Sequence, residues 1–140
     1  MVESSSAAAS DRGSRAVPAA AALHVFLGIA FGASIPFVLA HLARYDELPM
    51  SPLGWRYMAG PFEQLGPARF IALGMALVGV SALDVVVGIW LWQGRRRGLR
   101  LGFATDGPAL ALGAGFGLPL LLVGVPIRTA FAIAGRRSLR

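Results

Sequence analysis

Three long apolar stretches divide the chain, each bounded by arginine. From Ala16 to Ala43 there is no Asp, Glu or Arg. A helix needs about 20 apolar residues to cross ~30 Å of hydrocarbon. The stretch therefore predicts a membrane span over about 18–40, with Pro18 suited to its first turn. It is too long for the apolar core of a cleaved signal peptide, which runs to about 7–15 residues. Residues 44–68 break the pattern with four Pro, three Gly and mixed charge, predicting an extracytoplasmic surface loop. Tyr45, Trp55, Tyr57 and Phe62 are expected at headgroup level there. A second span follows over 70–93, interrupted only by Asp84 and closed by Trp90 and Trp92.

The last stretch, Leu101 to Gly135, is long for one span and short for two. Arginine decides between them. Arg95, Arg96, Arg97 and Arg100 precede it, and Arg136, Arg137 and Arg140 follow it. Cytoplasmic loops collect basic residues, and both groups can lie inside only if the chain crosses twice between them. Two short helices, about 100–114 and 118–135, are predicted, turning at Gly115–Pro119. The expected fold is all-α: an integral membrane bundle of four short transmembrane helices, with three as the alternative. Residues 17–140 form its single domain, both termini are cytoplasmic, and the Ser-rich segment 1–16 is a disordered tail.

Composition narrows the class. Fifty-six per cent of the 140 residues are hydrophobic and 14% charged, with mean hydropathy +0.65. A soluble domain carries about 25% charged residues, so a water-soluble globule and a disordered chain are both excluded. The absence of Cys excludes a disulfide scaffold and a thiolate metal site. All 13 basic residues are Arg and the net charge is +6. Because they sit at the ends of apolar runs and build no exposed basic face, no nucleic-acid partner is expected. The Arg-only basic set with Ala and Gly richness suggests a GC-rich bacterial genome, and with the apolar spans the expected location is a bacterial plasma membrane.

Four ionisable residues fall inside the predicted spans: His24, Asp84, Asp106 and Arg128. A charge at mid-membrane costs roughly 2.5–3.5 kcal/mol on insertion scales, so each must face other helices. Steps of three and four place them on stripes of small residues. Gly28 and Gly32 share a stripe with His24, Gly74 and Gly88 with Asp84, Gly113 with Asp106, and Gly117 and Gly124 with Arg128. Small residues let helix backbones approach closely in lipid, so these seven glycines are the expected packing positions. Counted from the flanking Arg at ~1.5 Å per residue, the four ionisable groups lie at similar depth, about 9–16 Å in. They are expected to form one intramembrane polar cluster in which Arg128 bridges one or both Asp, with His24 nearby.

Two functions compete for this cluster. A buried Arg–carboxylate pair fixes helix register while adding little net stability. This favours a packing or accessory subunit, or a self-associating membrane protein within a homo-oligomer or larger complex, with the lipid bilayer as its other partner. The alternative is a proton-coupled small-solute transporter, since two carboxylates sharing one Arg favour protonation of one of them. No H-E-x-x-H, G-x-S-x-G or Cys nucleophile occurs, and G-A-G-F-G at 113–117 lacks the G-K-[ST] of a phosphate loop. No enzymatic activity, metal or cofactor is expected. His24 and His41 are 17 residues apart, some 25 Å along one helix, too far to share an iron. Asp46 and Glu47 remain a candidate cation pair in the loop.

Overall fold

The computed structural model describes the side chains of residues 15–140 and the backbone from Val2. Among the described residues four α-helices carry the fold: α1 (Val2–Tyr45), α2 (Pro67–Trp92), α3 (Arg96–Gly115) and α4 (Pro119–Ala134). Among the described residues no β-strand forms; the loop holds one isolated bridge, Met50 with Arg56. The tail expected to be disordered lies almost wholly outside the described side chains. At its end Arg15 and Ala16 are helical, and Ala16 is buried against the bundle.

Local chemistry sets the helix ends. No Gly or Pro falls between Phe37 and Asp46, so α1 runs five residues past the expected end at Ala40, to Tyr45. It stops where Asp46 turns left-handed at φ 56°. Pro67 opens α2, three residues earlier than hydropathy alone places it, because φ near −65° is already helical. At the other end Gly94, at φ 71°, closes a Schellman turn: Gly94 N–H donates to Leu91 O and Arg95 N–H to Trp90 O. Gly117 at φ 63° repeats the device after α3, with Gly117 donating to Ala114 O and Leu118 to Gly113 O. These two turns let α2, α3 and α4 reverse direction within a few residues. A correction concerns the arginine run. Arg96, Arg97 and Arg100 lie within α3 and not in a loop before it, since nothing after Gly94 opposes helix.

The helices form a ring in which each packs on its chain neighbours and α1 closes against α4. Among the described residues, only Arg15–Tyr45 of α1 and Pro67–Trp92 of α2 are both long and apolar enough to cross a membrane. Helix α4 is apolar but spans 16 residues, and α3 is diluted by its Arg-rich start.

Each end of the ring has its own closure. At one end the C-terminal stretch of chain docks on the α2–α3 turn. Arg96 N–H donates to Arg140 O, Arg140 N–H donates to Gly94 O, and Leu139 is buried. Gly135 meets Val17 at the same end. At the other end the 46–66 loop covers the bundle. A methyl on Gly60 would meet the backbone of Gly115–Gly117, and Phe116 is fully enclosed, edge-on to Phe62 at 5.1 Å and Phe70 at 5.0 Å. Phe62, expected at the headgroups, is drawn inward by this contact. Tyr45, Trp55 and Tyr57 stay exposed.

Candidate buried charge cluster

Arg128 is the largest fully enclosed side chain of the bundle. Its position on α4 follows a 3–4 spacing of inward residues, Leu121, Val125, Arg128 and Ala132. The guanidinium is shared. Nη1 donates to Asp84 Oδ2 at 2.6 Å, while Nη2 and Nε donate to Asp106 Oδ1 at 2.8 and 3.2 Å. The planar fork of Arg, with donors along two edges, lets one side chain tie α4 to both α2 and α3.

Two threonines complete the set. Thr105 Oγ1 stands 3.1 Å from Asp84 Oδ1, and Thr129 Oγ1 stands 2.5 Å from Asp106 Oδ2. Neighbouring residues on a helix project about 100° apart, as 3.6 residues per turn requires. Helix α3 thus turns Thr105 toward α2 and Asp106 toward α4. Neither threonine stands out in the sequence. The available signal is adjacency, since Thr105 precedes Asp106 and Thr129 follows Arg128.

His24 supplies the α1 side. It is buried, its Nδ1 lies 2.8 Å from Ala20 O, and its Nε2 makes no hydrogen bond to any described protein group. Nε2 faces Gly102, where an added methyl would lie 3.4 Å from it. A void of about 10 Å³ is lined by His24, Leu91, Gly98, Gly102, Asp106 and Thr129 among others.

Six of the seven expected packing glycines stand at helix contacts. A methyl on Gly28 would lie 2.6 Å from Ser81 O, and one on Gly88 2.8 Å from Ala21 O, so α1 and α2 meet backbone to backbone. Gly74 receives Leu39, Gly113 receives Leu121, Gly124 receives Leu27, and Gly32 lies in ordinary contact with Ser81. Gly117 is the exception, a turn residue required by its positive φ. Gly98, Gly102 and Gly135 make further close approaches, to Leu91, Val87 and Val17. His41 stacks on Tyr45 far from the cluster, at the loop end. Asp46 and Glu47 border an open cleft of about 200 Å³ together with Arg56 and Glu63, which pair with each other at 2.6 Å. Among the described residues no three His, Cys, Asp or Glu side chains gather as a metal site. Comparison with known proteins finds no matching family model, no similar curated protein and no solved structure of similar fold.

Proposed function

We propose that this chain is a four-crossing membrane protein that acts as a packing or accessory subunit, or self-associates, in a bacterial plasma membrane. The observation that carries this reading is its inverted polarity. The charged residues Asp84 and Arg128 are buried, while Phe26, Phe37, Met75, Trp92, Phe103, Val123 and Ile127 are exposed. Water would favour the opposite arrangement; hydrocarbon favours this one.

Charge at the two ends supports the crossing number. Arg15, Arg95, Arg96, Arg97, Arg100, Arg136, Arg137 and Arg140 lie at the end formed by the start of α1, the α2–α3 turn and the C-terminus. The loop end carries Arg44, Arg56 and Arg69 against Asp46, Glu47 and Glu63. Such asymmetry orients the basic end toward the cytoplasm, with both termini inside. Helix α3 at 20 residues and α4 at 16 extend about 30 and 24 Å, lengths that a locally thinned bilayer accommodates.

The chain has no Cys, so single cysteines report topology cleanly. Leu53→Cys is expected to react with an impermeant maleimide in intact cells, and Arg97→Cys and Arg140→Cys only after permeabilisation. Labelling of Arg140→Cys from outside would establish three crossings instead. Purification from native membranes in mild detergent then separates a stoichiometric partner from a homo-oligomer; a lone monomer defeats the subunit reading.

The second reading, a proton-coupled carrier of small solutes, is favoured by one feature: the unpartnered His24 Nε2 beside Asp106. Its test is proton-linked flux in vesicles, lost in Asp84→Asn and Asp106→Asn proteins that remain folded.

A further inference from the structure

The basic end of the bundle carries its charge unanswered. All four arginines of 95–100 and all three of 136–140 are exposed. Among the described residues none of them joins an ion pair. The described acidic side chains are elsewhere: Asp46, Glu47 and Glu63 border the loop-end cleft, and Asp84 and Asp106 hold Arg128. We infer that this end is a binding surface for the phosphate headgroups of anionic phospholipid, built by the docking of the C-terminal stretch on the α2–α3 turn. The inference rests on the membrane reading, which puts this end at a bilayer surface.

The two arginine runs are far apart in sequence, and hydrogen bonds fasten them side by side. Arg96 N–H donates to Arg140 O at 2.9 Å, and Arg140 N–H donates to Gly94 O at 2.8 Å. Arg96 Nε donates to Leu139 O at 3.1 Å, and Leu139 is buried. A short 3-10 turn over Arg136–Ser138 joins this contact to the end of α4. Like charges held together in this way repel. Helix α3 adds to the conflict. Its N-terminus is the positive end of the helix dipole and favours anions, yet the first turn starts with Arg96 and Arg97 and has no acidic residue or capping side chain. Arg96 and Arg100 also stand one turn apart, where like charges oppose each other. A phosphate group resolves all three conflicts. It accepts from guanidinium forks in pairs and suits the amides of a helix N-terminus.

The surroundings select lipid as the source of that phosphate. Three residues from each arginine run stands an exposed apolar side chain: Trp92 before Arg95, Phe103 after Arg100 and Ile133 before Arg136. Lipid tails cover such side chains while their headgroups lie level with the arginines. Clusters of about four to eight basic residues beside a membrane helix recognise anionic lipid in this manner. An acidic protein would meet the arginines and leave the apolar rim unused.

Tryptophan quenching by brominated lipid tests the surface. The Trp55→Phe chain keeps Trp90 and Trp92 at the basic end, the second of them 71% exposed, so its emission reports that end alone. It is reconstituted in phosphatidylcholine vesicles that contain either brominated phosphatidylglycerol or brominated phosphatidylcholine. Expected is a severalfold greater apparent affinity for phosphatidylglycerol, which falls as salt screens the charges. Arg97→Gln with Arg100→Gln removes most of this preference, whereas Arg44→Gln with Arg69→Gln, at the loop end, leaves it intact. Leu139→Ser keeps every arginine but frees the docked stretch, and lowers the preference severalfold. Equal quenching by both lipids, as a surface reserved for an acidic protein would give, overturns the inference. A preference unchanged in Leu139→Ser also overturns it, since loose charge then accounts for the binding. Absence of quenching by brominated phosphatidylcholine as well defeats the membrane reading and this surface with it, so the two failures are distinguishable.

Discussion

Arg128 Nη1 and Asp84 Oδ2 lie 2.6 Å apart although their helices, α4 and α2, stand on opposite sides of the ring. The ion pair therefore spans the diagonal that backbone packing leaves open. Asp106 holds the same guanidinium from the adjacent helix. Losing the cation leaves the buried Asp84 carboxylate and the partly buried Asp106 carboxylate with no counter-charge, and breaking a buried pair from one side costs about 3–5 kcal/mol. Arg128→Leu is expected to lower the thermal midpoint in detergent sharply or abolish accumulation. Arg128→Lys rescues only in part, because one ammonium cannot present separate donor edges to both carboxylates.

The α1–α2 seam is expected to tolerate no side chain at its closest points. A methyl on Gly28 would stand 2.6 Å from Ser81 O and 2.8 Å from Val85 Cγ2, and the first of these obstacles is backbone. Overpacking of this kind costs about 1–3 kcal/mol. Gly79, on the same helix as Ser81, has open space where a methyl would go. Gly28→Ala and Gly88→Ala should therefore unfold at lower temperature in detergent, while Gly79→Ala stays at or above the wild-type midpoint. Equal effects at all three positions would argue against a backbone-close seam.

The cluster and the seam differ in how far sequence alone reveals them. His24, Asp84, Asp106 and Arg128 stand out because an ionisable group inside an apolar run is costly and must be accommodated. Thr105 and Thr129 carry no such mark: threonine is apolar enough to pass unnoticed, and its role depends on which way the next residue points. Gly117 shares the spacing of a packing stripe and also falls in the segment expected to turn, and its left-handed φ assigns it to the turn. The start of α3 is obscured for a related reason. Hydropathy detects lipid contact and not helix, so Arg96–Arg100 resembles loop although nothing there breaks the backbone ladder.

The C-terminal clamp leaves no trace in the sequence, since Leu139 is one apolar residue in a basic tail. Yet it is 3% exposed, and its carbonyl accepts from Arg96 Nε at 3.1 Å. Removing Leu139 and Arg140 also leaves Arg96 N–H and Gly94 O without their partners. Burial of a leucine is worth about 1.5–3 kcal/mol. Truncation after Ser138 is expected to raise hydrogen exchange at the amides of 94–98 well before it affects Asp84 or Leu77. Uniform loss of protection would mean that the clamp is essential to the whole bundle.

At the opposite end, Phe116 is the residue on which the loop cover depends. It is fully buried, packs edge-on to Phe62 and Phe70, and sits beside the Gly60 approach. Phe→Ala in a packed core costs about 3–5 kcal/mol. The Arg56–Glu63 pair in the same loop is half exposed on the Arg side, and such surface pairs contribute about 0–1 kcal/mol. Phe116→Ala is therefore expected to release the loop: protease cleavage between Met50 and Leu65 should accelerate strongly in vesicles whose loop end faces the protease. Glu63→Gln should leave cleavage nearly unchanged. The opposite order would make the surface ion pair, and not the aromatic contact, the fastening of the cover.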